Sequence, residues 1–345
     1  MDYLKNRWQR TKINTSFSSW SELITGVPQG SVLGPLLFNI YLNDLFLIFE
    51  NTDACNYADD TTLHKSDLIL QTVLDNLEQD SCKAIKWFED NYMKFNADKC
   101  HLLVACLKHE RVSIKVGDEI IEGSDEEQLL GILIDSNFKF KSHITKLCKK
   151  AGGKLTAIAR HRNIFSFEKL RTLLISFVHS QFSFSPLVWM FHNHKENSKI
   201  NRIHERALRV LYNNDTSTFT ELLEMDGSFT VHQRNIQFLA IEMYKSLNNI
   251  GPTLLKDIFI EREYNGPNLR SISEFSIPAV NSQYFGKDSL RYFGYSIWKL
   301  IPTDMKNTSN LDKFQSLIKN WKPNPCQCRL CKPFIYGLGH IGKIG

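Results

Sequence analysis

The run GVPQGSVLGPLLFNIYLNDLFLIFENTDACNYADDT, Gly26 to Thr61, decides how the chain is read, because it joins a glycine turn, an apolar helix and a hairpin bearing adjacent carboxylates. Gly26 and Gly30 bracket Val27-Pro28-Gln29. Glycine reaches backbone angles closed to other residues and lets the main chain approach a ligand closely. Gly34-Pro35 fits an N-cap and a first helical residue, where proline gives up only a donor that would be orphaned anyway. From Pro35 to about Phe49 the residues are apolar on nearly every side, which predicts a helix buried in a core with one narrow polar edge at Asn39, Asn43 and Asp44. Taken alone, the glycines fit an ordinary loop and helix cap equally well.

Cys55 to His64, CNYADDTTLH, predicts two short strands joined at a tight turn, with Asp60 and its neighbours supplying the turn chemistry. A lone Asp-Asp pair is ordinarily solvated surface. At the end of a strand flanked by apolar residues it becomes a candidate cation site, since Mg²⁺ takes hard oxygen ligands of this kind. Two such ions, roughly 3.5–4 Å apart, activate an attacking hydroxyl and stabilise the leaving oxygens of an in-line displacement at phosphorus.

GVPQGSVLGPLLFNIYLNDL followed by NYADD closely resembles the reverse transcriptase of non-LTR (LINE-type) retrotransposons. The resemblance implies an RNA-directed DNA polymerase, a nucleotidyltransferase whose partners are an RNA template, a DNA primer and dNTPs and whose cofactor is Mg²⁺. It implies that Asp59 and Asp60 hold the metal, that Pro28, Gln29, Gly30, Tyr57 and Ala58 shape the nucleotide and template pocket, and that Lys99 lies near the triphosphate, able to protonate the leaving pyrophosphate. As a plain surface lysine in a turn, Lys99 needs no such role. The resemblance extends to Trp87-Phe88 with Asn96 to Lys99, similar to the next polymerase motif, and to Leu129-Leu130-Gly131-Ile132, similar to the strand pair that grips the primer. Tyr3-Leu4-Lys5-Asn6-Arg7-Trp8-Gln9 resembles the family's YLxNRxQ segment, which stands downstream of a first catalytic aspartate. Asp2, Asp44 and Asp53 do not match that place, so the upstream carboxylate and the fingers are expected to be absent. Two readings follow: a reverse transcriptase domain protein whose templated DNA synthesis is incomplete in this chain, or a catalytically inactive or repurposed nucleic-acid-binding remnant.

With 345 residues, 42% hydrophobic and 23% charged, the chain has the composition of a globular protein with a sizeable core. No charged start with an apolar run and cleavage site opens it, and the longest apolar run carries Asn39, Asn43 and Asp44, so neither secretion nor a membrane is indicated. An intracellular protein, nuclear or cytoplasmic, is expected. A net charge of +5 is modest, so any nucleic-acid signal lies in its distribution.

Between Lys139 and Arg162 stand eight Lys or Arg and no acid. With Ile144, Leu147, Leu155 and Ile158 interleaved, this predicts an amphipathic helix whose basic edge, Lys146, Lys149, Lys150 and Lys154 with Arg160 and Arg162, neutralises phosphates. His194 to Tyr212 repeats the pattern. Asp67 to Asp90 carries a helical stripe that should cover a sheet, Cys100 to Ala105 reads as a strand, Gly117-Asp118 as a hairpin turn, and Leu129 to Ile134 as a further strand. Asp125-Glu126-Glu127 reads as a solvated loop. Phe165 to Phe191 reads as an aromatic-rich helical core, Thr230 to Leu247 as an amphipathic helix, and Glu263 to Asn281 as a long loop. In the tail, Cys326, Cys328, Cys331 and His340 have the donor types of a tetrahedral zinc site, while plain reduced cysteines fit as well.

The expected fold is therefore α/β (α+β): a partial polymerase palm over residues 1–138, a basic helical thumb-like region over 139–215, a helical C-terminal region over 216–320 and a Cys-rich tail over 321–345.

Overall fold

In a computed structural model the chain is described over residues 2–105, 112–262, 275–276, 279–280, 286–323 and 330. It divides into two compact units, Met1–Glu127 and Gln128–Gly345.

The first unit mixes short strands with two helices. β1 (Trp8–Gln9) pairs antiparallel with β4 (Ser21–Glu22), and β2 (Lys12–Ile13) with β3 (Ser16–Phe17). The helix α1 spans Gly34–Leu42 and passes into a 3₁₀ turn, Asn43–Ile48. Two expectations change here. Leu33, not Gly34, is the N-cap, and the helix does not run on to Phe49. The Asn43 N–H bonds the Ile40 carbonyl three residues back, tightening the coil where the polar pair Asn43-Asp44 interrupts the apolar run. Nor is α1 buried on all sides: Leu42 and Leu45 sit in a core with Trp87, while Leu36 (56%), Ile40 (63%) and Leu47 (80%) are exposed.

The hairpin of β5 (Asp53–Tyr57) and β6 (Asp60–His64) is antiparallel, with Tyr57 opposite Asp60. The helix α2 (Leu70–Asp90) carries the expected stripe. Through Leu74, Leu77 and Ile85 it covers a three-stranded sheet whose order is β7 (Leu102–Leu103), β9 (Glu119–Ser124), β8 (Ser113–Val116). The Gly117-Asp118 turn joins β8 to β9 as read, with Gly117 at φ +66°. The acidic run is not a loop. Glu126 and Glu127 begin β10 (Glu126–Leu129), and the Glu127 carboxylate accepts from the Ser124 hydroxyl at 2.6 Å and faces His101 Nδ1 at 3.3 Å. Likewise Leu129 to Ile134 is not one strand: Leu130 and Gly131 both take positive φ and turn β10 into its pairing partner β11 (Ile132–Asp135).

The second unit is helical after β11. It runs through α3 (Lys141–Arg160), α4 (Phe167–Phe177), α5 (Pro186–Trp189), α6 (His194–Tyr212), α7 (Phe219–Asp226), α8 (Val231–Leu247), α9 (Leu254–Ile258), α10 (Leu290–Leu300), α11 (Thr303–Lys306) and α12 (Leu311–Asn320). Thr218 with Glu221 and Thr230 with Gln233 form capping boxes that start α7 and α8. One core gathers Ile144, Leu155, Leu174, Trp189, Ile200 and Leu211; a second gathers Ile236, Met243, Tyr244, Ile297, Trp298 and Phe314. Phe165 to Phe191 is a broken helical segment rather than a uniform core: Phe182 and Trp189 are buried, but Phe177 and Phe184 are exposed. Most of the long loop expected over Glu263 to Asn281 lies outside the described residues.

Candidate active site and basic face

The Pro28-Gln29-Gly30 turn is built from the residues that flank it. Gly26 and Gly30 lie at φ +75° and +76°, angles that a side chain rarely adopts. The Ser31 hydroxyl donates to the Pro28 carbonyl at 2.7 Å and accepts from the Gly34 N–H at 3.1 Å, stitching the turn to the start of α1. Gly34 has no room for a side chain, since a Cβ there would meet Ser31 Oγ at 2.9 Å and the Pro28 oxygen at 3.2 Å. Gln29 and Gly30 face solvent.

Two residues missed as functional in the sequence hold this turn from outside. Arg7 Nη2 donates to the Gly26 carbonyl at 2.7 Å and to the Thr25 carbonyl at 3.3 Å, while its Nε donates to the Leu4 carbonyl at 3.2 Å. The Tyr3 hydroxyl donates to Ser31 Oγ. Both lie in the Tyr3 to Gln9 run, read above only as a marker of position, and their partners at Thr25, Gly26 and Ser31 are 18 or more residues away in the chain.

At the hairpin, Ala58 and Asp59 form the turn, and Asp60 is the first residue of β6 rather than part of the turn. Ala58 sits at φ +55°, with positive φ at the first central position alone. Glycine ordinarily fills that place, so alanine holds local strain on the order of 1 kcal/mol. The register sets Ala54, Asn56, Thr61 and Leu63 on one half-buried face and Cys55, Tyr57, Asp60 and Thr62 on the other. Asn56 Nδ2 donates to Thr61 Oγ1 at 2.9 Å across the pair. Asp59, Asp60 and Tyr57 are exposed.

The hairpin is anchored at its base by Asp80 of α2, which is fully buried. Its carboxylate accepts from the N–H groups of Asn51 and Thr52, each at 2.9 Å, and from the Thr52 hydroxyl at 3.0 Å. Lys83 Nζ completes the cluster, 3.2 Å from Asp80 and 2.8 Å from Glu50. Burial pushes the Asp80 carboxyl up, but the hydrogen bonds from Asn51, Lys83 and Thr52 outweigh it and hold the group below the usual carboxylate value.

Two exposed neighbouring carboxylates are donors of the kind Mg²⁺ takes. Among the described residues, no group of three His, Cys, Asp or Glu side chains is assembled to hold a metal. Lys99 is exposed at the end of a 3₁₀ turn, Ala97–Lys99, that Asn96 caps through the Asp98 N–H. No hydrogen bond or ion pair among the described residues joins it to either aspartate. Cys326, Cys328, Cys331 and His340 lie outside the described residues.

The basic helix α3 forms as read, with Ile144, Ala151, Leu155 and Ile158 buried. The six candidate cations, five on the helix and Arg162 in the 3₁₀ turn that follows, are not equivalent. Lys146 Nζ donates to Gln128 Oε1 at 2.7 Å, Lys154 Nζ lies 5.8 Å from the Phe177 ring centre, and Arg162 Nη1 donates to Asn213 Oδ1. Lys149, Lys150 and Arg160 are exposed. On α6 three of the five cations have partners within the protein: Lys199 pairs with Glu196 at 2.6 Å, Arg209 with Glu205 at 2.6 Å, and Arg206 donates to Thr156 Oγ1 at 3.2 Å, while Lys195 and Arg202 are exposed. The α3 and α6 axes come close where Gly152 meets Ile203, whose Cδ1 would stand 3.5 Å from an added Cβ.

Among the described residues no helix is long and apolar enough to cross a membrane. Residues 2–140 match the family described as reverse transcriptase (RNA-dependent DNA polymerase). Among curated proteins, the chain is 23% identical over 223 residues to a probable RNA-directed DNA polymerase from transposon BS of Drosophila melanogaster, covering 61% of this chain and 24% of that protein. It is 29% identical over 160 residues to the RNA-directed DNA polymerase from mobile element jockey of the same species, covering 42% and 17%, and 23% identical over 164 residues to a probable one from transposon X-element, covering 46% and 18%. The chain thus spans a quarter or less of the length of these relatives. No solved structure matches. These matches do not favour the reading as a repurposed nucleic-acid-binding remnant. Residues 2–140 match a reverse transcriptase domain, and the chain is similar to proteins named as RNA-directed DNA polymerases of mobile elements.

Proposed function

We propose that this chain works in templated DNA synthesis on RNA, with RNA template, DNA primer and dNTPs as its substrates. The observation that carries the reading is the Ala58-Asp59 turn, which sets Asp59 at the hairpin tip and Asp60 beside Tyr57 on one exposed face. Asp59 and Asp60 would hold Mg²⁺, which supplies activation of the primer hydroxyl and neutralisation of charge on the leaving oxygens. The Arg7-pinned turn at Pro28-Gln29-Gly30 would present solvent-facing main chain to the nucleotide and template. Lys99 would approach the triphosphate, and Lys149, Lys150 and Arg160 would neutralise backbone phosphates. In this reading the first unit acts as a palm and α3 as part of a thumb.

The test is incorporation of dTTP on poly(rA) primed with oligo(dT), in Mg²⁺, by the element's polymerase carrying these residues. Asp59→Ala and Asp60→Ala should each abolish incorporation while circular dichroism stays unchanged. Incorporation that survives both substitutions would overturn the assignment of the metal ligands.

A further inference from the structure

The second unit holds a small polar cavity that the polymerase reading leaves unused. Its volume is about 130 Å³, several times the room that one water needs. Arg171, His179, His204, Asp226, Ser228 and Arg234 supply its polar lining, with Leu174 and Leu208 among its apolar walls. Three buried polar atoms of this lining have no hydrogen-bond partner among the described residues: His204 Nδ1, Ser228 Oγ and Arg234 Nε. Native interiors leave few such atoms, so three around one cavity call for an occupant.

The charges say which kind. The Asp226 carboxylate is already shared between Arg171 Nη2, at 3.4 Å, and the Tyr212 hydroxyl, at 3.0 Å. Arg234 Nη2 lies 3.3 Å from His179 Nδ1; a guanidinium only donates, so this ring nitrogen accepts and the ring proton sits on Nε2. The two imidazoles meet edge to face, with centres 4.6 Å apart. Both are neutral at pH 7: burial, and then the charge of Arg234, holds His179 down to about 4, and burial foremost keeps His204 well below its usual value. Two guanidinium groups against one carboxylate leave a single positive charge in excess. A cation is disfavoured there, and a neutral occupant would not discharge it. An unused guanidinium N–H beside a hydroxyl is the donor pair that recognises a tetrahedral oxyanion.

We propose that this cavity binds a phosphate group, with Arg234 and Ser228 donating to its oxygens and Arg171 guarding the mouth. Arg171 and Ile175 are exposed, so an ester substituent can leave the cavity on that side. The phosphate can come free in solution or as the terminal phosphate of a nucleic-acid strand, and the site does not depend on the polymerase reading above.

Thermal unfolding of the full chain in inorganic phosphate, against chloride at equal ionic strength, reads occupancy directly, because a ligand of the folded state raises the midpoint with its concentration. A second arm compares an oligonucleotide bearing a 5′-phosphate with its dephosphorylated twin. The expected result is a dose-dependent rise in at least one arm, with apparent affinity falling about tenfold in Ser228→Ala and in Arg171→Ala, the loss of a charge-assisted bond. A response to inorganic phosphate identifies the free ion; a response confined to the phosphorylated strand identifies the strand end. No rise in either arm, or a rise equal in the parent and both variants, overturns the site.

Discussion

The Asp80 carboxylate of α2 accepts both the main-chain N–H and the hydroxyl of Thr52, at 2.9 and 3.0 Å, one residue before the strand that leads to Ala58-Asp59. A helix is thereby tied to the base of the Asp59-Asp60 hairpin through a single buried side chain. Asp80→Ala leaves two N–H donors and a hydroxyl without a partner and should lower stability by about 3 kcal/mol. It should also loosen the hairpin, seen as faster amide exchange at Asp53 to Tyr57. Because the folded pKa of Asp80 lies below its usual 3.8, its contribution is present above that value and is lost as pH falls through the folded pKa. In Asp80→Asn that part of the acid limb should be missing from urea titrations below about pH 4.

Arg7 fastens the glycine turn through the Thr25 and Gly26 carbonyls. Arg7→Met should leave global stability within about 1 kcal/mol, since the side chain is only half-buried and methionine keeps its apolar stem, yet release the Thr25 and Gly26 carbonyls. The expected signature in the element's polymerase is a raised KM for dNTP with smaller loss of kcat. An unchanged KM would show that the turn holds without the arginine.

Ala58 stands at a left-handed angle, so Ala58→Gly should stabilise the domain by about 1 kcal/mol. Ala58→Val, with a β-branched side chain at the same angle, should destabilise it by more. Midpoints from chemical denaturation check both directions.

The unequal cations of α3 and the turn after it give a divided expectation for nucleic-acid binding. Neutralising Lys149, Lys150 and Arg160 should flatten the dependence of log affinity on log salt by about 0.9 for each duplex phosphate that is no longer neutralised. Neutralising Lys146, Lys154 and Arg162 should change the slope less, as these side chains have partners within the protein. Equal slopes in the two triple variants would count against this division.

His192 is buried beside α6, its Nδ1 2.9 Å from the Trp189 carbonyl, and burial foremost holds its pKa down to about 4. The unfolded chain takes up a proton near pH 6.5 that the folded protein refuses until about pH 4. Stability is therefore fully present above about 6.5 and falls as the solution is acidified across that window, by at most about 1.4 kcal/mol per pH unit for this residue. His192→Asn should shallow the slope measured by urea titration between about pH 6.5 and 4.5.

Where one period dominated, the sequence was readable: the apolar stripe of α2, the basic and apolar edges of α3, and the Gly117-Asp118 turn all fold as their spacing implies. The Asp-Asp hairpin was readable in kind, but its register was not, because Ala58 rather than glycine takes the left-handed place and shifts Asp60 into the strand. Pairings between residues far apart in the chain left no periodic trace. Asp80 looked like one more polar residue of an amphipathic helix, and Arg7 like part of a marker segment, until folding brought each to main-chain groups 19 or more residues away. The end of α1 at Leu42 was hidden because hydropathy does not tell an α-helix from a 3₁₀ turn.

The outward side of α1 bears on handling at the bench. Leu33, Leu36 and Ile40 repeat at helical spacing and all face water. Contiguous oily surface of this sort drives self-association as concentration rises. Light scattering of the chain in isolation should show growing particle size with protein concentration, and Leu36→Lys with Ile40→Glu should keep it monodisperse without touching the buried Leu42 and Leu45.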